Sequence, residues 1–145
     1  MYQHILISTD GSEVAQKGVD HGLTIAKALG AQVTIVTATE SLPAYGFDAG
    51  FDAMTYADYG ADQKEAAEKV LASAKEAADR LGVPVETVLL EDAVPAEAII
   101  DTAKARNCSL IAMASHGRRG LGRLLLGSVT SEVLARSPVP VLVVR

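Results

Sequence analysis

Gly117, nine residues, then Gly127-Ser128 is the spacing in this chain with the clearest chemical meaning. A short apolar run, Leu110 to Ala114, comes just before it, and a short helical pattern, Val129 to Ala135, just after. The stretch between them reads as a glycine-punctuated loop from a buried strand to a helix. Such a loop suits phosphate. Glycine lets the backbone approach a ligand with no Cβ in the way. The first turn of a helix offers N–H donors with no intrahelical acceptor, at the positive end of its dipole. Ser128 stands where its hydroxyl can cap the helix or meet a phosphate oxygen. Arg118, Arg119 and Arg123 add positive charge; the first two read as a solvated loop edge or as phosphate clamps. Two common nucleotide fingerprints do not fit. Gly122 to Ser128 has the Walker spacing without its lysine, and Gly120-Leu-Gly122 lacks a third glycine.

The other candidate groups are fewer. Asp10 follows an apolar run and stands three residues before Glu13, like an acidic capping box at a helix start. Capping and ligand contact are compatible there. His116 would need a Ser, Cys or carboxylate partner to act as a base; none is evident in the sequence, so it reads as turn packing. His4 and His21 lack metal-ligand spacing and read as structural. Cys108 is the single cysteine and reads as inert, which fits a reducing cytoplasm.

Size and charge narrow the class. A chain of 145 residues, nearly half of them apolar, reads as one globular domain, residues 1–145. A net charge of −5 argues against a nucleic-acid binder but leaves a small anionic ligand open. No apolar run approaches membrane-spanning length, and the start shows no basic-then-apolar leader pattern. The reading is cytoplasmic.

The elements that must position the loop alternate regularly. Strands are expected at His4–Ser8, Val33–Ala38, Pro84–Leu90, Ser109–Ala114 and Val141–Val144. A helix from Val14 stops at Gly30, a second runs from Ala61 to a stop at Gly82, a third starts at Pro95, and a fourth ends at Arg136. The segment from Glu40 to Gly60 has no clean period and holds Tyr45, Phe47, Phe51, Tyr56 and Tyr59. It reads as a lid, a partner-facing flap or a poorly ordered excursion. Continuous apolar strands alternating with helices predict an α/β fold. The expected form is an open parallel five-stranded sheet in order 3-2-1-4-5, helices on both faces, Rossmann-like. The order reverses between strands one and four. Ligands bind outside the carboxyl ends of the strands at such a reversal, which would bring Asp10 and the glycine loop to one crevice. The fifth strand lies at an edge, where an apolar strand invites a second chain.

Read in order, Asp10-Gly11-Ser12, Pro95-Ala96-Glu97-Ala98-Ile99, Ser115-His116-Gly117, Gly127-Ser128-Val129-Thr130 and Pro140 to Val144 resemble the universal stress protein family over the whole chain. Its ATP-binding members carry Gly, two residues, Gly, nine residues, then Gly with Ser or Thr. Here the first glycine is Ala114, a departure. The resemblance implies ATP across the strand ends, with Mg2+ or Mn2+ bridging phosphates. Adenine would meet the backbone near Ala38. Ribose would approach Asp10, Met113 and the Ala114 turn, and Thr9 would also be a cofactor-binding residue. The phosphates would run from Gly117 to the amides of Gly127, Ser128, Val129 and Thr130. It also implies a homodimer paired through Val141 to Val144, and a stress-response regulator rather than an enzyme, at most a slow ATPase. The alternative is a homodimeric interaction module that binds no nucleotide.

Overall fold

A computed structural model of the chain describes residues 1–40, 53–117 and 125–145. Five strands, β1 (His4–Ser8), β2 (Gln32–Ala38), β3 (Val85–Leu90), β4 (Leu110–Ala114) and β5 (Val141–Val144), form one parallel sheet in the order β3-β2-β1-β4-β5. This is the expected order, and the strand bounds differ from expectation by one residue at most.

Four helices are seen among the described residues: α1 (Glu13–Leu29), α2 (Ala53–Leu81), α3 (Pro95–Ala105) and α4 (Ser128–Arg136). The sheet buries both faces. Ile5, Ile7, Val33, Ile35, Leu110 and Ala112 pack with Val19, Leu23, Leu71 and Ala78 of α1 and α2. Leu6, Val36, Ile111 and Met113 pack with Ala96, Ile99 and Val133 of α3 and α4. Successive strand residues point to opposite faces. A strand covered on both sides is therefore apolar at successive positions save where a hydroxyl is bonded, as at Thr34 and Thr37 of β2, which is why these strands read as runs.

Local chemistry sets the helix ends. The hydroxyl of Ser12 accepts the Ala15 amide at 3.2 Å and caps α1. Gly30, at φ 65°, closes it in the left-handed conformation. The helix sits close on the sheet because two glycines face it. A Cβ on Gly22 would lie 2.6 Å from Ile7 Cδ1, and one on Gly18 would lie 3.1 Å from the Ala114 nitrogen.

Two expectations are corrected here. Asp10 does not cap α1. Gly11 turns at φ 80°, which leaves Ser12 at the cap and Asp10 one step outside, its Oδ1 accepting the Ser12 amide at 2.9 Å. The second helix begins at Ala53, not Ala61. Ala57 to Asp62 are all exposed, and burial from there onward begins at Ala67. The exposure of Ala57 to Asp62 leaves that stretch without a buried apolar face to mark it. Helix propagation from the packed part accounts for its form. Tyr45, Phe47 and Phe51 lie outside the described residues, so the reading of their segment does too.

Candidate functional site

β1 is outrun by both of its neighbours. Its pairing with β2 ends at Ser8–Val36, while β2 continues to Ala38 against β3. Its pairing with β4 ends at Ile7–Ala112, while β4 continues to Ala114 against β5. The strand order reverses above β1, the place where open sheets of this kind form their ligand crevice. Alternation of backbone direction along a strand turns the peptide groups of Ala38 toward it, because Thr39 on the next position bonds the β3 side. The Thr39 amide donates to the Leu90 carbonyl at 2.9 Å, and its carbonyl accepts the Ala93 amide at 3.0 Å.

The chain leaves β1 through Thr9, Asp10 and Gly11. Thr9 is buried and spends its polar atoms on this turn. Its amide donates to the Val36 carbonyl at 3.0 Å, its carbonyl accepts the Thr37 hydroxyl at 2.8 Å, and its own hydroxyl accepts the Gly11 amide at 3.2 Å. Thr9 thus shapes the turn and leaves Asp10 at the crevice rim. Across the crevice is Gly117. A Cβ built on Gly117 would collide with Asp10 Oδ2. The two ends predicted to meet do meet.

Ser115 is the joint between the ends of β4 and β5 and the start of α4. Its amide donates to the Val144 carbonyl of β5 at 2.7 Å, and its carbonyl accepts the Gly127 amide at 2.8 Å. Gly127 packs against His116 so closely that a Cβ would lie 3.1 Å from His116 Cα. Here glycine is required for close approach, not for an unusual turn, since its φ is −62°. Gly127 is the N-cap of α4 and Ser128 the first helical residue, with no side-chain cap, so the hydroxyl of Ser128 does not cap the helix. Gly127 supplies the cap position because no side chain fits against His116.

The amide of Ser131 donates to the Gly127 carbonyl at 2.9 Å and begins the helical ladder. The amides of Ser128, Val129 and Thr130 precede it and have no intrahelical acceptor. They are the anion donors this site offers. Gly127, named with them from the sequence, gives its amide to Ser115 instead. The Thr130 side chain is buried, and its hydroxyl donates to the Ala114 carbonyl at 2.9 Å.

Met113 is not at the crevice by its side chain. It is buried in the α3–α4 core, and its backbone pairs with Val143 on β5. Ala114 is at the crevice by its backbone. Arg118, Arg119 and Arg123 lie outside the described residues.

The sequence reading missed the partner of His116. The Ser115 hydroxyl lies 3.1 Å from His116 Nδ1. The signal was the adjacency of the two residues. Ser115 is buried, so this pair supports the turn and does not present a nucleophile. Cys108 is buried as well, and burial pushes its thiol up to about 11. His4 is structural, its Nε2 lying 2.8 Å from the buried Thr34 hydroxyl.

Two cavities flank these elements. One of about 260 Å³ lies at the same sheet edge but one strand over, lined by Thr39, Glu40, Tyr59, Lys64, Glu91 and Asp92. The other, about 200 Å³, lies at the opposite edge beside Gly30, Gly82 and Pro84. Neither is lined by Asp10 or Gly117. Among the described residues no cluster of three or more His, Cys, Asp or Glu could hold a metal ion. No helix among them is long and apolar enough to cross a membrane.

Known proteins are similar to this chain over its whole length. The model of the universal stress protein family matches residues 1–145. A universal stress protein of Thermus aquaticus is 37% identical over 145 residues, all of both chains. Universal stress protein MJ0531 of Methanocaldococcus jannaschii is 34% identical over 145 residues, which is 100% of this chain and 83% of that one. Among solved structures, the hypothetical protein MJ0577 superposes with a TM-score of 0.83 at 28% identity, over 99% of this chain and 96% of that one. A universal stress protein solved in complex with cAMP superposes with a TM-score of 0.70 at 26% identity, over 99% and 97%. Fold, motif order and whole-length similarity agree, and the chain belongs to the universal stress protein family.

Proposed function

We propose that the crevice above β1 binds an adenine nucleotide, ATP in the first instance, and that the protein is a nucleotide-responsive regulator of the cytoplasm. The observation that carries this reading is the pair of bare glycines at the crevice. Gly117 lies against Asp10, and Gly127 lies against His116 beneath a helix start. These close approaches bring the ends of β1 and β4 and the start of α4, with the amides of Ser128, Val129 and Thr130, to one place. A related protein of the same fold in complex with cAMP supports the ligand class.

In this reading the base lies by the Ala38 peptide, the ribose hydroxyls meet the Asp10 carboxylate beside Ala114, and the phosphates meet the α4 amides. A divalent ion, Mg2+ or Mn2+, would be held by phosphate oxygens and water, since magnesium keeps several waters and takes few protein ligands. Such an ion supplies charge neutralisation on the phosphates. The α4 amides hold and orient the phosphate chain, and no side chain described here positions a water for attack. Hydrolysis is at most slow, and the role is binding. The apolar edge of β5, Val141 to Val144, is the proposed homodimer contact.

A second reading has one specific feature in its favour. Ala114 stands where the ATP-binding pattern has glycine, which favours an interaction module without nucleotide. Strand alternation argues against obstruction: Ala112 packs in the α1–α2 core, so Ala114, two residues on, turns its methyl toward α1 near Gly18. Thermal-shift titration separates the two. A ligand that binds only the folded state raises the melting temperature with concentration. A rise with ATP and magnesium supports the nucleotide reading; no shift at millimolar ATP supports the module.

A further inference from the structure

We propose that Thr130 is the positioning residue of this site. Its hydroxyl fastens the first turn of α4 to the end of β4 and fixes where the free amides point, without touching ligand. The inference rests on the reading of the crevice as a phosphate site, and its geometry stands independently.

Two consecutive carbonyls at the end of β4 grip one helix. The Ser115 carbonyl takes the amide of Gly127, the N-cap, at 2.8 Å. The Ala114 carbonyl takes the hydroxyl of Thr130, the third helical residue, at 2.9 Å. One attachment would hold the helix in place but leave it free to roll. Two attachments, one on the cap and one most of a turn later, set its rotation. That rotation decides the direction of the amides of Ser128, Val129 and Thr130.

The hydroxyl cannot serve ligand at the same time. Thr130 is 2% exposed. A hydroxyl has one proton to donate, and this one is given to Ala114. An ionised phosphate oxygen accepts and does not donate, so it has no use for the remaining lone pairs. A threonine in a Gly-Ser-Val-Thr segment invites assignment as a ligand side chain, and this geometry assigns it otherwise. The Ala114 carbonyl also explains the need. It sits past the last β1–β4 pair, at the open edge of the crevice, and Thr130 satisfies it there.

Thr130→Val keeps the shape and removes the donor; Thr130→Ser keeps the donor. Hydrogen exchange of the ligand-free protein is the first readout. The valine variant should speed exchange at the Gly127 and Ser131 amides by about ten-fold or more, the scale expected when a buried acceptor loses its donor. The serine variant should stay close to the parent. ATP with magnesium should bind the valine variant about ten-fold or more weakly, with recovery in the serine variant. Unchanged exchange in the ligand-free valine variant would overturn the proposal, as would acceleration spread equally over β1. If the parent protein binds no ATP, the nucleotide reading fails, while the exchange experiment still decides the role of Thr130.

Discussion

Gly117 and Asp10, from the ends of β4 and β1, lie so close that a Cβ on Gly117 would overlap Asp10 Oδ2. Asp10 cannot move aside freely, because its other oxygen holds the Ser12 amide at 2.9 Å. Gly117→Ala should therefore break or strain that bond, at a cost of about 1 kcal/mol. Asp10→Ala should remove the conflict. A double-mutant cycle read by urea denaturation should show coupling between the two sites of about 0.5–1 kcal/mol. Additive effects would mean the two residues are not in contact.

Gly18 presents the same kind of closeness to a less yielding neighbour. Its missing Cβ would lie 3.1 Å from the Ala114 nitrogen and 3.3 Å from the Met113 carbonyl carbon. Alanine ordinarily improves a helix by about 1 kcal/mol over glycine. Here α1 would have to back away from the backbone of a paired strand, and overpacking of that kind costs about 1–3 kcal/mol. Gly18→Ala should lower stability in spite of the better helix former. A higher urea midpoint would show that the helix and strand can part without penalty.

Cys108 should be silent toward thiol reagents in the native protein and react on unfolding, because it is buried and its thiol is pushed up to about 11. The sign of the linked pH effect follows. The folded state holds the thiol proton more tightly than the unfolded chain, whose ordinary value is 9.0. The contribution is fully present below pH 9 and is lost as pH rises through 11. Denaturation midpoints should fall less steeply over that window in Cys108→Ala than in the parent. Identical slopes would mean the thiol is not desolvated.

The homodimer reading concentrates on β5. Pro140 and Val144 direct their carbonyls to β4, accepting from Ile111 and Ser115 at 3.0 and 2.7 Å. Alternation turns the peptide groups of Val141 and Val143 outward, to the free edge. Charge on an edge strand discourages pairing with another chain. Sizing chromatography should show the parent as a dimer and Val143→Lys as a monomer. A variant that stays dimeric would place the interface elsewhere.

What could be read from the residues alone was what depends on burial pattern. β4 is apolar throughout and β1 from Ile5 to Ile7 because both sheet faces are covered, so their existence, their order and the meeting of Asp10 with Gly117 followed. What could not be read was set by single bonds across the fold. The choice of Ser12 over Asp10 as the cap depends on the backbone of Gly11. The loss of the Gly127 amide to Ser115, and of the Thr130 hydroxyl to Ala114, depends on how α4 docks, which no periodicity records. The helical stretch before Ala61 was invisible for the opposite reason: Ala57 to Asp62 are exposed, with no buried face to leave a pattern.

The central claim is that the free amides at the start of α4 receive nucleotide phosphate. Titration of isotope-labelled protein with ATP and magnesium, followed by amide resonances, tests it most directly. The account predicts the largest shifts at Ser128, Val129 and Thr130, with Gly117 and Asp10 following. It is contradicted if millimolar nucleotide leaves those amides unmoved, or moves only those around Gly30 and Gly82 at the opposite edge of the sheet.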